Sequence, residues 1–195
     1  MRKITAYHGT GAASSRKILQ GNFSISRGDS YWLGDGAYFF MDDELGFDGI
    51  ECAKKWANVH AYDRNDRKYK YQRYAVVKAR ISVPEEEFLD LTSADGMEVF
   101  NYLRERYLEA VKAAGKRLSR NSSMRDGYIL NLARANFSLK LSVVKAHFYI
   151  RFAVEQTFNV RFRIPNSTTV AVFDPNSCID PAEVEIISED NLSSL

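Results

Sequence analysis

The sequence is short of proline and cysteine: 195 residues hold four of the first and two of the second. With 45% hydrophobic and 27% charged residues, it is not a disordered chain, which would carry fewer apolar side chains and a larger net charge. Cys52 and Cys178 are too few for a disulfide scaffold. Neither has a second Cys or His at ligand spacing, so no zinc site is expected. Long hydrophobic runs are missing as well; none approaches the roughly 18–20 residues of a membrane span. "MRKITAYHGTGAASSRKILQG" starts basic but lacks the apolar stretch of a signal peptide. No membrane contact and a cytoplasmic location are therefore expected. A formal net charge of +2 names no partner by itself. No internal repeat and no low-complexity linker divide the chain, so residues 1–195 read as one domain.

What is present is a mixture of periods. "KITAYHG" reads as a short strand stopped by glycine. "AASSRKILQGN" reads as a short helix with Ala12, Ile18 and Leu19 facing inward and Gly21-Asn22 at its end. "YWLGDGAYFF" is a glycine-interrupted loop running into a strand. Ile50, Ala53, Trp56, Ala57 and His60 recur at spacings of three and four, so "GIECAKKWANVHAYD" is helical. "RYAVVKARISV" is a strand ended by Pro84, which "EFLDLT" would extend. Residues 96–118 and 124–135 are expected to be helices. "LKLSVVKAHFYIRFAV" fits a strand or a helix. "FNVRFRI", "TTVAVFD" and "AEVEIIS" carry strand signals. The class is α+β, with strands near both ends and a helical insert at about 95–140.

Charge is unevenly placed. Between 101 and 151 the sequence has eleven Lys and Arg, from Arg104 to Arg151, against Glu105, Glu109 and Asp126. "YDRNDRKYKYQRY" interleaves Arg64, Arg67, Lys68, Lys70 and Arg73 with Tyr62, Tyr69, Tyr71 and Tyr74. Basic side chains neutralise phosphates and aromatic rings stack on bases, so both stretches suit RNA. A solvated charged loop with half-buried tyrosines is the simpler account.

"SYWLGDGAYFFMDD" carries the most information. Glycine serves where φ is positive or where another group approaches the backbone. Gly34 and Gly36 would let the loop pass close to a ligand, and Tyr38 would project from the strand after it. A ring beside exposed backbone suits a flat, amide-bearing ligand. The acids of "MDDELGFDG" lack calcium-loop spacing and read as a solvated turn. His60 and His147 read as residues at helix and strand edges. "YHGT" sets His8 beside Gly9 at the end of the first strand.

Together, H-G-T at residues 8–10 and W-L-G-x-G-x-Y-F at 32–39 resemble the NAD-dependent ADP-ribosyltransferase superfamily. The likeness is to its diphtheria-toxin and poly-ADP-ribose-polymerase branch. Ala53, Trp56 and Ala57 of the following helix are similar to small prokaryotic members, some of them toxins or phage-defence effectors. The resemblance covers residues 4–60 well, and 75–92 and 143–180 loosely. It implies a split β-sheet with NAD, as substrate, in the cleft. It also implies that His8 bonds ribose hydroxyls, that the Gly9 backbone with Thr10 holds the carboxamide, and that Tyr38 stacks on nicotinamide. Gly34 and Gly36 would shape the loop beneath, and Trp56 would complete the set.

The family also places a glutamate where this sequence reads "STTVAVFD". That position falls on Thr169 or Thr168, neither of them acidic. A neutral residue there argues for transfer of a single ADP-ribose unit rather than chain elongation. Glu155 in "FAVEQTFN" is the nearest upstream acid that could substitute; Asp174 lies too far along the strand. The acceptor would be a macromolecule, RNA ahead of protein, with a cognate antitoxin or inhibitor as a further partner. Two alternatives stand beside this one: an RNA 2′-phosphotransferase, and a catalytically silent domain that binds NAD or RNA.

Overall fold

Alternation along the first strand divides its side chains between two layers. β1 (Arg2–Gly11) sends Ile4 and Ala6 to one face and Tyr7 to the other. In the computed structural model, residues 1–28, 31–63, 65–115, 126–136 and 139–192 are described. A seven-stranded sheet runs in the order β6 (Phe88–Asp90), β7 (Val143–Phe148), β8 (Ser167–Val172), β2 (Ala37–Met41), β1, β5 (Arg73–Val83) and β9 (Ile179–Asn191). Only β6 and β7 pair in parallel; every other neighbour is antiparallel. β3 (Tyr62–Asp63) and β4 (Lys68–Tyr69) form a separate small hairpin. The architecture is the expected α+β mixture.

Both faces are covered. α1 (Ala12–Gln20) brings Ile18 to a core with Phe23, Phe39, Ile81 and Val170. On the other face lies α2 (Gly49–Ala61), started by the Asp48 carboxylate, which accepts from the Glu51 N–H at 2.9 Å. Its buried side is narrow, made of Cys52, Ala53 and Ala57, so the helix comes close to β1. Gly9 marks the closest point. A Cβ there would lie 1.9 Å from the Ala53 carbonyl oxygen. α3 (Ala94–Ala113) and α4 (Asp126–Asn136) share that face, packing Phe100, Leu103, Ile129, Leu130 and Ala133 onto Val144, Ala146 and Ala171. The helical stretch is thus part of the core layer. Cys52 and Cys178 are buried and free.

Four local expectations change. Leu19 is exposed, and Ser15 takes the inward place on α1 because its hydroxyl is satisfied by the Ala12 carbonyl at 2.8 Å. "EFLDLT" does not prolong β5. Pro84 ends that strand, a short 3₁₀ turn follows at Glu85–Glu87, and β6 lies at the opposite end of the sheet. "LKLSVVKAHFYIRFAV" resolves as strand β7 followed by the short helix α5 (Ala153–Thr157). "FNVRFRI" is not a strand. Its alternation finds no neighbouring strand to pair with, Asn159 takes φ 52°, and Phe158, Phe162 and Ile164 stay exposed.

The basic stretches also divide. Lys145 pairs with Asp90 at 3.2 Å and Arg134 lies 4.2 Å over the Phe173 ring, so neither is a free cation. Lys116, Arg117, Arg120, Arg125, Arg64 and the expected helix segments at 116–118 and 124–125 lie outside the described residues. Among the tyrosines, Tyr62 and Tyr69 are exposed, whereas Tyr71 and Tyr74 belong to the core beneath α2. Tyr71 cannot stack on a base, because its ring packs against Gly11 and its hydroxyl donates to the Ala57 carbonyl.

Candidate functional site

The sheet opens between β1 and β2. On its β5 side β1 is paired from Arg2 to Gly11, ten residues in unbroken register. On its β2 side it has one pair, Tyr7 with Phe40. Continuing that register would set Gly9 against Tyr38. There the strands part, and the His8 ring bridges them instead. Its Nδ1 lies 2.7 Å from the Tyr38 carbonyl oxygen. A carbonyl only accepts, so Nδ1 carries the hydrogen and Nε2 of the neutral ring is left as an acceptor. Burial holds the His8 pKa below its ordinary value, partly offset by the Tyr38 carbonyl, so the neutral form prevails at pH 7.

The parting leaves a cleft of about 270 Å³. His8 from β1, Tyr38 from β2, Trp56 from α2 and Thr169 from β8 all line it, with Trp32, Phe40 and Ile150. Its walls are aromatic. Trp56 stacks on His60 with centroids 3.9 Å apart, Phe40 meets Trp56 edge-on at 6.0 Å, and Trp32 lies 4.6 Å from Phe148. Ser24, Ser26 and Thr169 add hydroxyl groups to the lining, and Thr169 is the one of them that is buried without a partner. It is 4% exposed, and its Oγ1 has no hydrogen-bond partner among the described residues. An orphaned buried hydroxyl costs about 1–3 kcal/mol, so a ligand group that bonded it would recover that loss.

The loop from Tyr31 to Gly36 is held from two sides. The Tyr38 hydroxyl donates to the Gly34 carbonyl at 2.7 Å and accepts from the Leu33 N–H at 3.0 Å. Burial pushes its pKa up, so it stays a phenol. Behind the loop stands α4. Gly34 has φ +88°, and a Cβ on it would lie 2.5 Å from Asn131 Oδ1, the atom that accepts from the Asp35 N–H. Gly34 therefore serves a left-handed turn against α4. Gly36 exchanges two 3.0 Å backbone bonds with Ser26. Neither glycine lines the cleft. The acids after β2 form the expected solvated turn, with Asp42, Glu44 and Asp48 exposed, except that the Asp43 side chain turns inward. Asp42 accepts from the Gly49 N–H, and Asp43 accepts from the Thr168 hydroxyl and the Leu45 and Phe47 N–H groups.

His8, Tyr38, Trp56 and Thr169 are thus brought together. Gly9 and Thr10 lie outside the lining, Gly9 against α2. Thr168 faces the opposite side of β8, bonded to Asp43 and to His147 Nδ1 at 2.9 Å. Glu155 lies on α5, outside the lining of the cleft, and its carbonyl accepts from Arg151. Sequence reasoning did not assign Trp32 or Ile150 to the wall. It treated His60 as a helix-edge residue, although its position four after Trp56 was the signal that the two rings share a face.

A second hollow, of about 530 Å³, adjoins the cleft at His60. It is polar, lined by Lys70, Arg151, Asn65, Asn159 and Tyr62 among others. Burial and then the Lys70 charge push the His60 pKa down to about 4, although the residue keeps solvent contact at the helix end.

No family model matches the chain. It is 27% identical over 153 residues to a Methanocaldococcus jannaschii protein described as uncharacterized protein MJ0359; the match covers 76% of this chain and 66% of that protein. Among the described residues, no helix is long and apolar enough to cross a membrane, and no group of three or more His, Cys, Asp or Glu could hold a metal ion.

Proposed function

We propose that the chain is an NAD-dependent mono-ADP-ribosyltransferase that modifies a macromolecule. The observation that carries it is the convergence of His8, Tyr38, Trp56 and the unpartnered Thr169 hydroxyl on one aromatic cleft where the sheet opens. A volume of about 270 Å³ suits a nicotinamide ring and its sugar, and is too small for a whole dinucleotide. His8 Nε2 accepts from a ribose hydroxyl, and the aromatic walls hold the flat ring. The glycosidic bond to nicotinamide breaks, and nicotinamide leaves with the bonding electrons. The acceptor's nucleophile then bonds the ribose carbon and gives up its proton.

Thr169 offers the ribose a hydroxyl but no negative charge. A preorganised carboxylate would stabilise the cationic ribose more strongly, so transfer is slow and stops at one unit. The same neutral residue favours the second reading, an NAD-binding domain without turnover. Calorimetric titration with NAD, followed by nicotinamide release and incubation of labelled NAD with RNA and with protein extract, separates them. Label transferred to either macromolecule supports the transferase. Binding without release supports the silent domain. Absence of NAD binding would overturn both.

A further inference from the structure

The polar hollow has no part in holding nicotinamide. Among the described residues its wall carries two cations, Lys70 and Arg151, and one carboxylate, Asp63. Asp63 is largely committed elsewhere: its Oδ1 accepts from the Asn65 and Asp66 N–H groups at 2.9 and 3.2 Å, and Lys70 stands 3.9 Å away. With His60 neutral, the wall is left with one positive charge in excess.

Arg151 is fixed in place before any ligand arrives. Its Nη2 donates to the Glu155 carbonyl at 3.2 Å and to Asn159 Oδ1 at 3.1 Å. Its own carbonyl accepts from Gln156 Nε2 at 2.8 Å. Its Nε–H is sealed from solvent and beyond a ligand's reach, but Nη1 makes no hydrogen bond among the described residues and is not buried. A guanidinium positioned in this way, with donor capacity unused, suits an oxyanion. Beside it, the exposed Tyr62 ring lines the same hollow and meets exposed Tyr69 edge-on at 5.3 Å. Cations for phosphates together with exposed rings for bases form a platform for an unpaired strand. A duplex would keep its base faces stacked and hidden. A lone phosphate would not need the rings.

We infer that the hollow bounded by Lys70, Arg151 and Tyr62 seats a phosphodiester and an adjoining base of a single-stranded nucleic acid. The shared wall at His60 then brings that strand to the mouth of the aromatic cleft. Binding of the strand stands independently of the transferase reading; that the strand is the acceptor rests on it.

The test is fluorescence anisotropy with an end-labelled 12-nucleotide single-stranded RNA, titrated at several salt concentrations, beside NAD titration of the same proteins. Lys70→Gln and Arg151→Gln are each expected to lower RNA affinity about fivefold to tenfold at low salt. Each should also flatten the slope of log K against log salt by about 0.7. Tyr62→Ala should lower affinity about fivefold or more without changing that slope. NAD affinity should stay unchanged in all three. Because Arg151 also braces its loop, the exposed Lys70 and Tyr62 variants decide the matter if Arg151→Gln proves unstable. Negligible RNA binding by the unaltered protein overturns the inference. So does a loss of NAD affinity in Lys70→Gln, which would assign the hollow to the dinucleotide's own phosphates. RNA binding that persists in a protein unable to bind NAD removes the transferase reading and leaves this one standing.

Discussion

The two edges of β1 differ sharply. One is closed by β5 along all ten residues; the other touches β2 at a single pair and then gives way to a side chain. The paired edge makes a scaffold, and the parted edge makes a site. Strand pairing would fill the space between Gly9 and Tyr38 with backbone. Its absence, bridged by His8, is what opens the cleft between two rigid elements. The glycine beside His8 belongs to the scaffold side of this contrast, since it lets α2 press on the strand.

Four changes test the division. The largest effect is expected at the parted edge: His8→Ala should reduce transfer about 10²–10³-fold, the loss typical of one positioned polar group in a site. Its melting temperature should fall only by the few degrees that one hydrogen bond is worth. A collapse of the fold instead would make His8 a part of the scaffold.

Next is the packed side. Gly9→Ala sets a methyl 1.9 Å from the Ala53 oxygen, backbone against backbone, with no flexible side chain to yield. We expect about 3 kcal/mol of destabilisation. For a chain of this size that is roughly 6–12 °C in melting temperature. An unchanged thermal transition would refute the close α2 contact.

Tyr38→Phe keeps the ring but removes both bonds to the Leu33–Gly34 turn, about 1–2 kcal/mol of loop anchoring. NAD affinity should drop threefold to tenfold, against a far larger loss in Tyr38→Ala. Equal losses would place the hydroxyl, not the ring, at the ligand.

The smallest effect is on stability at Thr169. Removing a buried hydroxyl that has no partner, as in Thr169→Val, should leave stability unchanged or raise it by about 1 kcal/mol. Nicotinamide release should fall in the same protein. A destabilised variant would show that the hydroxyl is bonded after all.

Acid should weaken the parted edge before the carboxylates respond. His8 and His60 both titrate below their ordinary 6.5 in the folded chain, His60 at about 4. The unfolded chain therefore takes up protons first, and stability is complete above about pH 6.5. It declines as pH falls, for His60 until about pH 4. Asp43 and Asp90 hold pKa values below 3.8, so their contribution is lost only at lower pH. Melting temperatures of wild type and His60→Gln across pH 4–7 would show the variant's curve flatter.

Much of this was legible in the sequence where a pattern reports on its own surroundings. The alternation of β1, β5 and β9 and the three-four spacing of α2 are local signals, and they marked the right elements. His8, Tyr38, Trp56 and Thr169 were legible through motif position, and they share a cleft. The glycines were legible as special but not as to why. A sequence does not say that the neighbour of Gly34 is Asn131, about a hundred residues on. The alternation at 158–164 misled because a strand needs a partner, and that segment pairs with none among the described residues. Arg151 and His60 were legible only separately, as part of a basic stretch and as a helix-edge residue, because a hollow forms between elements that no single window contains.

One feature bears on the order in which the chain is made. β2, which carries Tyr38, is held to β1 by one pair and to β8 by five, Ala37 to Met41 against Val172 to Thr168. β1 and β5 can pair once residue 83 has left the ribosome, yet β2 has no proper neighbour until residue 172 follows. The cleft therefore does not exist on a nascent chain, and a product cut short before β8 would carry His8 and Tyr38 without bringing them together. The cleft can form only after residue 172 has been made, although His8 and Tyr38 are both among the first forty residues.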